Sequence, residues 1–185
     1  MQATSSAYAS GYSADSAAVV VDTSVPLPVT IKTDRAAEYA SGGWWKDKVT
    51  VSFLDNGDAV LADGTPGSGV NTSLSKAPVS YWTSGSYTVT GQVTDYVGWK
   101  SAASSMTVKV DATPAAIYLK CPSYTYYRNQ ASATFTASDG QSGLSTPASG
   151  SITLDASSRG TKTLSVDARD KVGHVTTTSC TYSVY

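Results

Sequence analysis

The stretch VTDYVGWKS at residues 93–101 returns as ARDKVGHVT at residues 168–176: a strand-like run, an aspartate, one residue, Val-Gly and a polar exit. Working outward, GSYTVTGQVTDYVG (85–98) lies on GTKTLSVDARDKVG (160–173) without a gap, so Val89 meets Leu164, Asp95 meets Asp170 and Gly98 meets Gly173. Beyond the corner, SSMTVKVD (104–111) meets TSCTYSVY (178–185) after one deletion, which sets Met106 against Cys180 and Val110 against Val184. Upstream, GSGV (67–70) matches QSGL (141–144), and VTVSFLD (49–55) matches ATFTASD (133–139). The first copy carries an insertion here, within NGDAVLADGTP. One supersecondary plan is written twice.

Each copy reads as strands. Val49, Val51 and Phe53 alternate with Lys48, Thr50 and Ser52, and Met106, Val108 and Val110 alternate with Thr107 and Lys109. A period of two is expected where one face of a strand packs on a core and the other meets water. DNGD, ADGTPGSG, TSGS, SDGQSG and SSRG lie between the runs and supply turn chemistry. No segment keeps a capped helical period, so helix content should be near zero. Many short strands between frequent turns predict an all-β chain of two tandem antiparallel β-sandwiches. The repeated corner is then the hairpin of the last two strands, with Asp95 and Asp170 accepting from turn amides and Gly98 and Gly173 at positive φ. Tyr87 is placed for a tyrosine corner; Lys162 replaces it in the second copy, which must hold its corner another way.

VDTSVP (21–26) and VDATP (110–114) precede the two copies, and proline so close after a strand stops pairing and stiffens the junction. The expected domains are residues 22–111 and 112–185, joined end to end. Residues 1–21 resemble the closing arm of the first copy and read as a remnant of a preceding repeat, or a flexible arm, at the edge of a longer chain. No basic segment followed by an apolar one marks an export signal at the start.

Charged residues make up 15% of the 185, with net charge −1, so there is no basic footprint for nucleic acid. No run approaches the ~20 apolar residues of a spanning helix, so membrane insertion is not expected. Catalytic constellations are missing as well: His174 is the single histidine and Glu38 the single glutamate, and neither a G-x-S-x-G elbow nor a phosphate-cradling loop occurs. His174 is predicted to be an exposed turn residue. The chain is expected not to be an enzyme.

Three binding readings remain. Trp44, Trp45, Trp82 and Trp99 all fall in the first copy and could stack on the sugars of a surface polysaccharide; YTYYR (124–128) is a second aromatic patch. The alternative is that these rings plug a sandwich end or cover a loop. Adjacent Trp44 and Trp45 must point to opposite faces of a strand, one into the core. Asp55, Asn56, Asp58 and Asp63 crowd the insertion, and Asp22 and Asp111 sit at the linkers, so calcium could rigidify a junction, although DNGD lacks the spacing of a calcium loop. Thirdly, AAVVV (17–21) could add to a neighbour's sheet edge and build a fibre.

The ordered pattern VDTSVP, GGWWKDKVTVSF, GSGV, GSYTVTGQVTDYVGWKS and VKVDATP resembles the tandem bacterial immunoglobulin-like repeats of secreted and cell-surface proteins. The resemblance spans residues 22–185. It implies immunoglobulin-like sandwiches, an extracellular or cell-surface setting, and a structural spacer flanked by further domains, which would hold an adhesive or catalytic head that meets a polysaccharide or protein receptor. This chain departs from the pattern at the hairpin tip, where Trp99 and His174 stand at or near the usual Asn. In such a fold the first and last strands of a domain lie side by side, which would allow a Cys121–Cys180 disulfide.

Overall fold

The computed structural model describes residues 21–185. The expected remnant and the fibre-forming strand fall at residues 1–21, almost wholly outside the described residues. The chain is all-β, and its helical structure among the described residues is limited to two three-residue 3-10 turns, Ala40–Gly42 and Thr72–Leu74. None of it is long and apolar enough to cross a membrane.

In the first half lie β1 (Thr30–Thr33), β2 (Trp44–Lys46), β3 (Val49–Leu54), β4 (Val79–Tyr81), β5 (Gly85–Gly91) and β6 (Ser104–Asp111). They form two three-stranded sheets, β1-β3-β4 and β2-β6-β5. The second half holds β7 (Ala116–Lys120), β8 (Tyr124–Thr125), β9 (Ser132–Ser138), β10 (Ser149–Thr153), β11 (Gly160–Arg169) and β12 (Val175–Val184). Their sheets are β10-β9-β7 and β11-β12-β8. Among the described strands no sheet mixes the two sets, so the chain is two tandem sandwiches.

The alternation places the core. Val49 and Val51 of β3 pack across the first sandwich on Val89, Val108 and Val110, with Trp45 closing the layer. Each such valine contributes about 1.5–3 kcal/mol relative to exposure. Gly91 lets β5 come close to the facing sheet, because a Cβ there would lie 2.6 Å from the Phe53 ring. The second core is thinner: Ala133, Leu154, Ala156, Tyr182 and Val184.

The repeat holds at the level of register. Val89 pairs with Met106 and Gly85 with Val110, as Leu164 pairs with Cys180 and Gly160 with Val184. Tyr87 makes the tyrosine corner, its hydroxyl donating to the Thr83 carbonyl at 2.8 Å. In the second sandwich Lys162 pairs with Asp155 Oδ2 at 2.5 Å, and the Tyr182 hydroxyl donates to the Asp155 carbonyl at 3.2 Å. Cys121 and Cys180 form a disulfide with their Cα atoms 6.4 Å apart, tying the chain after β7 to β12.

Candidate functional site

Each sandwich carries its hairpin corner at the end where the chain enters, beside the linker aspartate. In the first, Asp95 Oδ1 accepts the amides of Val97, Gly98 and Trp99 at 2.9, 2.6 and 2.8 Å. In the second, Asp170 Oδ1 accepts those of Gly173 and His174 at 2.7 and 2.8 Å. Gly98 and Gly173 hold φ of 101° and 94°, which a Cβ would oppose.

The linker aspartates join the same constellation. Asp22 Oδ2 accepts the Ser68 amide at 2.6 Å, and Asp111 Oδ2 accepts the Ser142 amide at 3.1 Å. These serines belong to the matched GSGV and QSGL segments, whose glycine amides are taken by a further aspartate. Asp58 Oδ2 takes Gly69 and Asp139 Oδ1 takes Gly143, at 2.9 and 2.6 Å. Asp58, inside the insertion, therefore does the work of Asp139, although the sequence match sets Asp55 there.

The first of these ends gathers Asp22, Asp58 and Asp95, with one carboxylate oxygen of each within 4.8 Å of the others. Asp95 is buried, and its Oδ2 has no hydrogen-bond partner; neither has the buried hydroxyl of Ser68. No Lys or Arg among the described residues pairs with any of the three. Hydrogen bonds from Ser24 and Ser68 hold the Asp22 carboxyl well below the usual carboxylate range. The other calcium candidates do not converge on this point. Asp55 Oδ1 caps Gly57, Asp63 Oδ1 caps Thr65, and Asn56 donates to the Pro28 carbonyl, fastening the insertion onto the chain at β1. Asp111 lies at the opposite end of the first sandwich.

At that second junction the corresponding space is filled by an imidazole. His174 was expected to be an exposed turn residue; it is buried between the sandwiches. Its Nδ1 lies 2.6 Å from Asp170 Oδ2 and its Nε2 2.9 Å from Asp47 Oδ1 of the first sandwich. Lys46 Nζ donates to the Gly173 carbonyl at 3.2 Å, and Lys171 lies 5.0 Å from the Tyr39 ring centroid. Carboxylates only accept, so both ring nitrogens must donate, and the complete clasp requires the imidazolium.

Burial pulls the His174 pKa down, and the bonds and charges of Asp47 and Asp170 outweigh it, leaving the pKa above its ordinary 6.5. A raised folded value means that the stabilisation is full below pH ~6.5 and is lost as pH rises through that folded value. The neutral ring keeps a single N–H, so one of its two carboxylate contacts loses its donor. Because the chain has one histidine, its imidazole C2–H resonance should titrate above 6.5, and in Asp47→Asn should titrate lower. An unshifted resonance in both proteins would refute the clasp.

The tryptophans do not form one platform. Trp45 is core and donates from its indole to the Arg35 carbonyl at 3.0 Å, while Trp44 is half-buried with Lys109 over its ring. Trp82 and Trp99 are 65% and 50% exposed, but they flank opposite ends of β5. What sequence reasoning missed is Asp47, Ser68, Ser142, Asp139 and the burial of His174. The matched S-G segments beside the corners were the available signal.

No family model matches this chain, and no curated protein matches it. Among solved structures it is similar to the fibronectin(III)-like modules of Clostridium thermocellum CbhA, at 16% identity over 84% of this chain and 93% of that chain, with a TM-score of 0.36.

Proposed function

We infer that the chain is a non-catalytic structural segment of a larger extracellular or cell-surface protein, two immunoglobulin-like units at 22–111 and 112–185 that hold other domains of that protein at a fixed spacing. The observation that carries this is the junction, where Asp111 and Asp47 from the first unit grip the Ser142 amide and the His174 ring of the second. A free tether would have no use for such contacts, and interdomain motion is the default without them. The disulfide fits an oxidising setting. Backbone 15N relaxation at pH 6 tests the spacer: one correlation time for both units is expected, and two independent times would sink it.

A second reading concerns the entry end of the first unit. Three carboxylates, one with a buried unpartnered oxygen, and no balancing cation suit a hard divalent ion such as calcium, which takes oxygen ligands at 2.3–2.6 Å. Asp22, Asp58 and Asp95 would hold it, fastening the linker to the hairpin. The Trp99 indole donates to the Asp22 carbonyl at 3.3 Å, so it stands close enough to sensitise terbium. Excitation of tryptophan should give terbium emission that calcium displaces, and Asp95→Asn should abolish it while keeping Oδ1 for the turn amides. Emission that survives in Asp95→Asn, or none at millimolar ion, counts against the site.

A further inference from the structure

We propose that the far end of the second sandwich, built from Tyr124, Tyr126, Tyr127, Tyr185, Arg128 and Arg159, binds an acidic polysaccharide. The internal repeat shows what this end is not. Strand β8 runs parallel to β12 with Thr125 opposite Val184, as β2 runs parallel to β6 with Trp45 opposite Val110. In the turn that follows, Tyr127 N donates to the Tyr185 carbonyl at 2.8 Å, as Asp47 N donates to the Asp111 carbonyl at 2.9 Å. Tyr126, Tyr127 and Tyr185 therefore stand where Lys46, Asp47 and Asp111 stand in the first sandwich. Those three polar residues grip the second sandwich, and here all three are tyrosine. None of the three offers a carboxylate, so these positions do not supply the polar clasp of the first junction.

What it offers instead is rings and guanidinium groups. Tyr124 packs edge-on against Tyr126 at 5.8 Å and Tyr185 at 6.2 Å between centroids. Tyr124 and Tyr126 remain 53% and 59% exposed. The Arg128 and Arg159 guanidinium carbons lie 5.0 and 5.7 Å from the Tyr127 centroid, and among the described residues neither arginine pairs with a carboxylate. The turn is fixed from both sides, Arg128 N donating to the Ala156 carbonyl and Asn129 N to the Tyr126 carbonyl, each at 2.9 Å. Arg128 sits there at φ 59°, a conformation an arginine holds only where the surroundings impose it. A surface fixed before binding loses less entropy when it binds.

The chemistry selects the ligand class. Phenol rings present flat faces to the C–H faces of sugars while their hydroxyls stay wet. Guanidinium forks pair with carboxylates, which uronic acids carry on alternate or successive residues. Unpaired positive charge favours an anionic polymer over a neutral one.

The test uses the whole chain in affinity electrophoresis with polygalacturonic acid and, in parallel, a neutral galactan. Retention by the acidic polymer at low salt is expected, weakening as salt screens the arginines. Tyr126→Ala and Arg159→Gln should each weaken it about tenfold, as anchor residues of an interface do. Trp82→Ala, an exposed ring in the other sandwich, should leave it unchanged. Equal retention by both polymers with Arg159→Gln unaffected would overturn the acidic class, and loss in Trp82→Ala would move the site elsewhere. Retention by neither polymer would overturn the proposal; self-association sensitive to Tyr126→Ala would then identify the surface as a protein interface.

Discussion

Replacing both Cys121 and Cys180 by serine should destabilise the second sandwich by about 4 kcal/mol and leave the first unchanged. The bridge spans 59 residues of sequence, so most of its effect lies in the unfolded chain, whose loop closure it enforces. The second core makes this loss severe, because two of its five buried members are alanines, where the first has Trp45 and five valines. A unit of ~75 residues has about 4–11 kcal/mol of stability in all, so the variant sits near the margin of folding. The four tryptophans report on the first sandwich alone, which lets urea unfolding be read separately by tryptophan fluorescence and by far-UV circular dichroism. Early loss of part of the far-UV signal with an unmoved tryptophan transition is the expected pattern. If both transitions stay in place, the bridge contributes nothing.

The second large effect is expected at Asp170. Its carboxylate is fully buried and accepts the Gly173 and His174 amides and the His174 ring. Asp170→Ala leaves two buried turn amides without their acceptor and the imidazolium with Asp47 alone, at a cost of about 3–5 kcal/mol. Asp170→Asn keeps one oxygen for the amides and should cost about 1–3 kcal/mol. In that variant His174 loses a charge partner, so its titration falls as well. Urea denaturation ranks the two variants, and imidazole resonances separate hairpin from junction. If Asn proves as damaging as Ala, charge matters more than the amide bonds. If both are near neutral, the Asp170 carboxylate does not anchor the corner.

Much of the fold could be read in the repeat. Matching Val89 to Leu164 and Met106 to Cys180 placed both closing hairpins in register, because a period-two strand that slips by one residue turns its valines to water. Asp95, Gly98, Asp170 and Gly173 were readable for a similar reason: a turn's hydrogen bonds are local, closed within four residues. The gathering of Asp22, Asp58 and Asp95 was not, since it depends on how the inserted loop folds back and on which of its aspartates reaches Gly69. Nor was the dispersal of the tryptophans, because Trp82 and Trp99 are close in sequence yet separated by the length of β5.

His174 marks the boundary most sharply. By itself the sequence determined an all-β chain, two copies of one plan, their strand registers and the two aspartate corners, all consequences of short-range periodicity and turn chemistry. Only the tertiary structure decided that one corner would receive Asp47 from 127 residues away and bury a histidine, while the other kept an unpartnered carboxylate oxygen. Local sequence sets what a turn can offer. Which charge meets it depends on where the neighbouring sandwich brings its own end, a long-range packing outcome that no local pattern encodes.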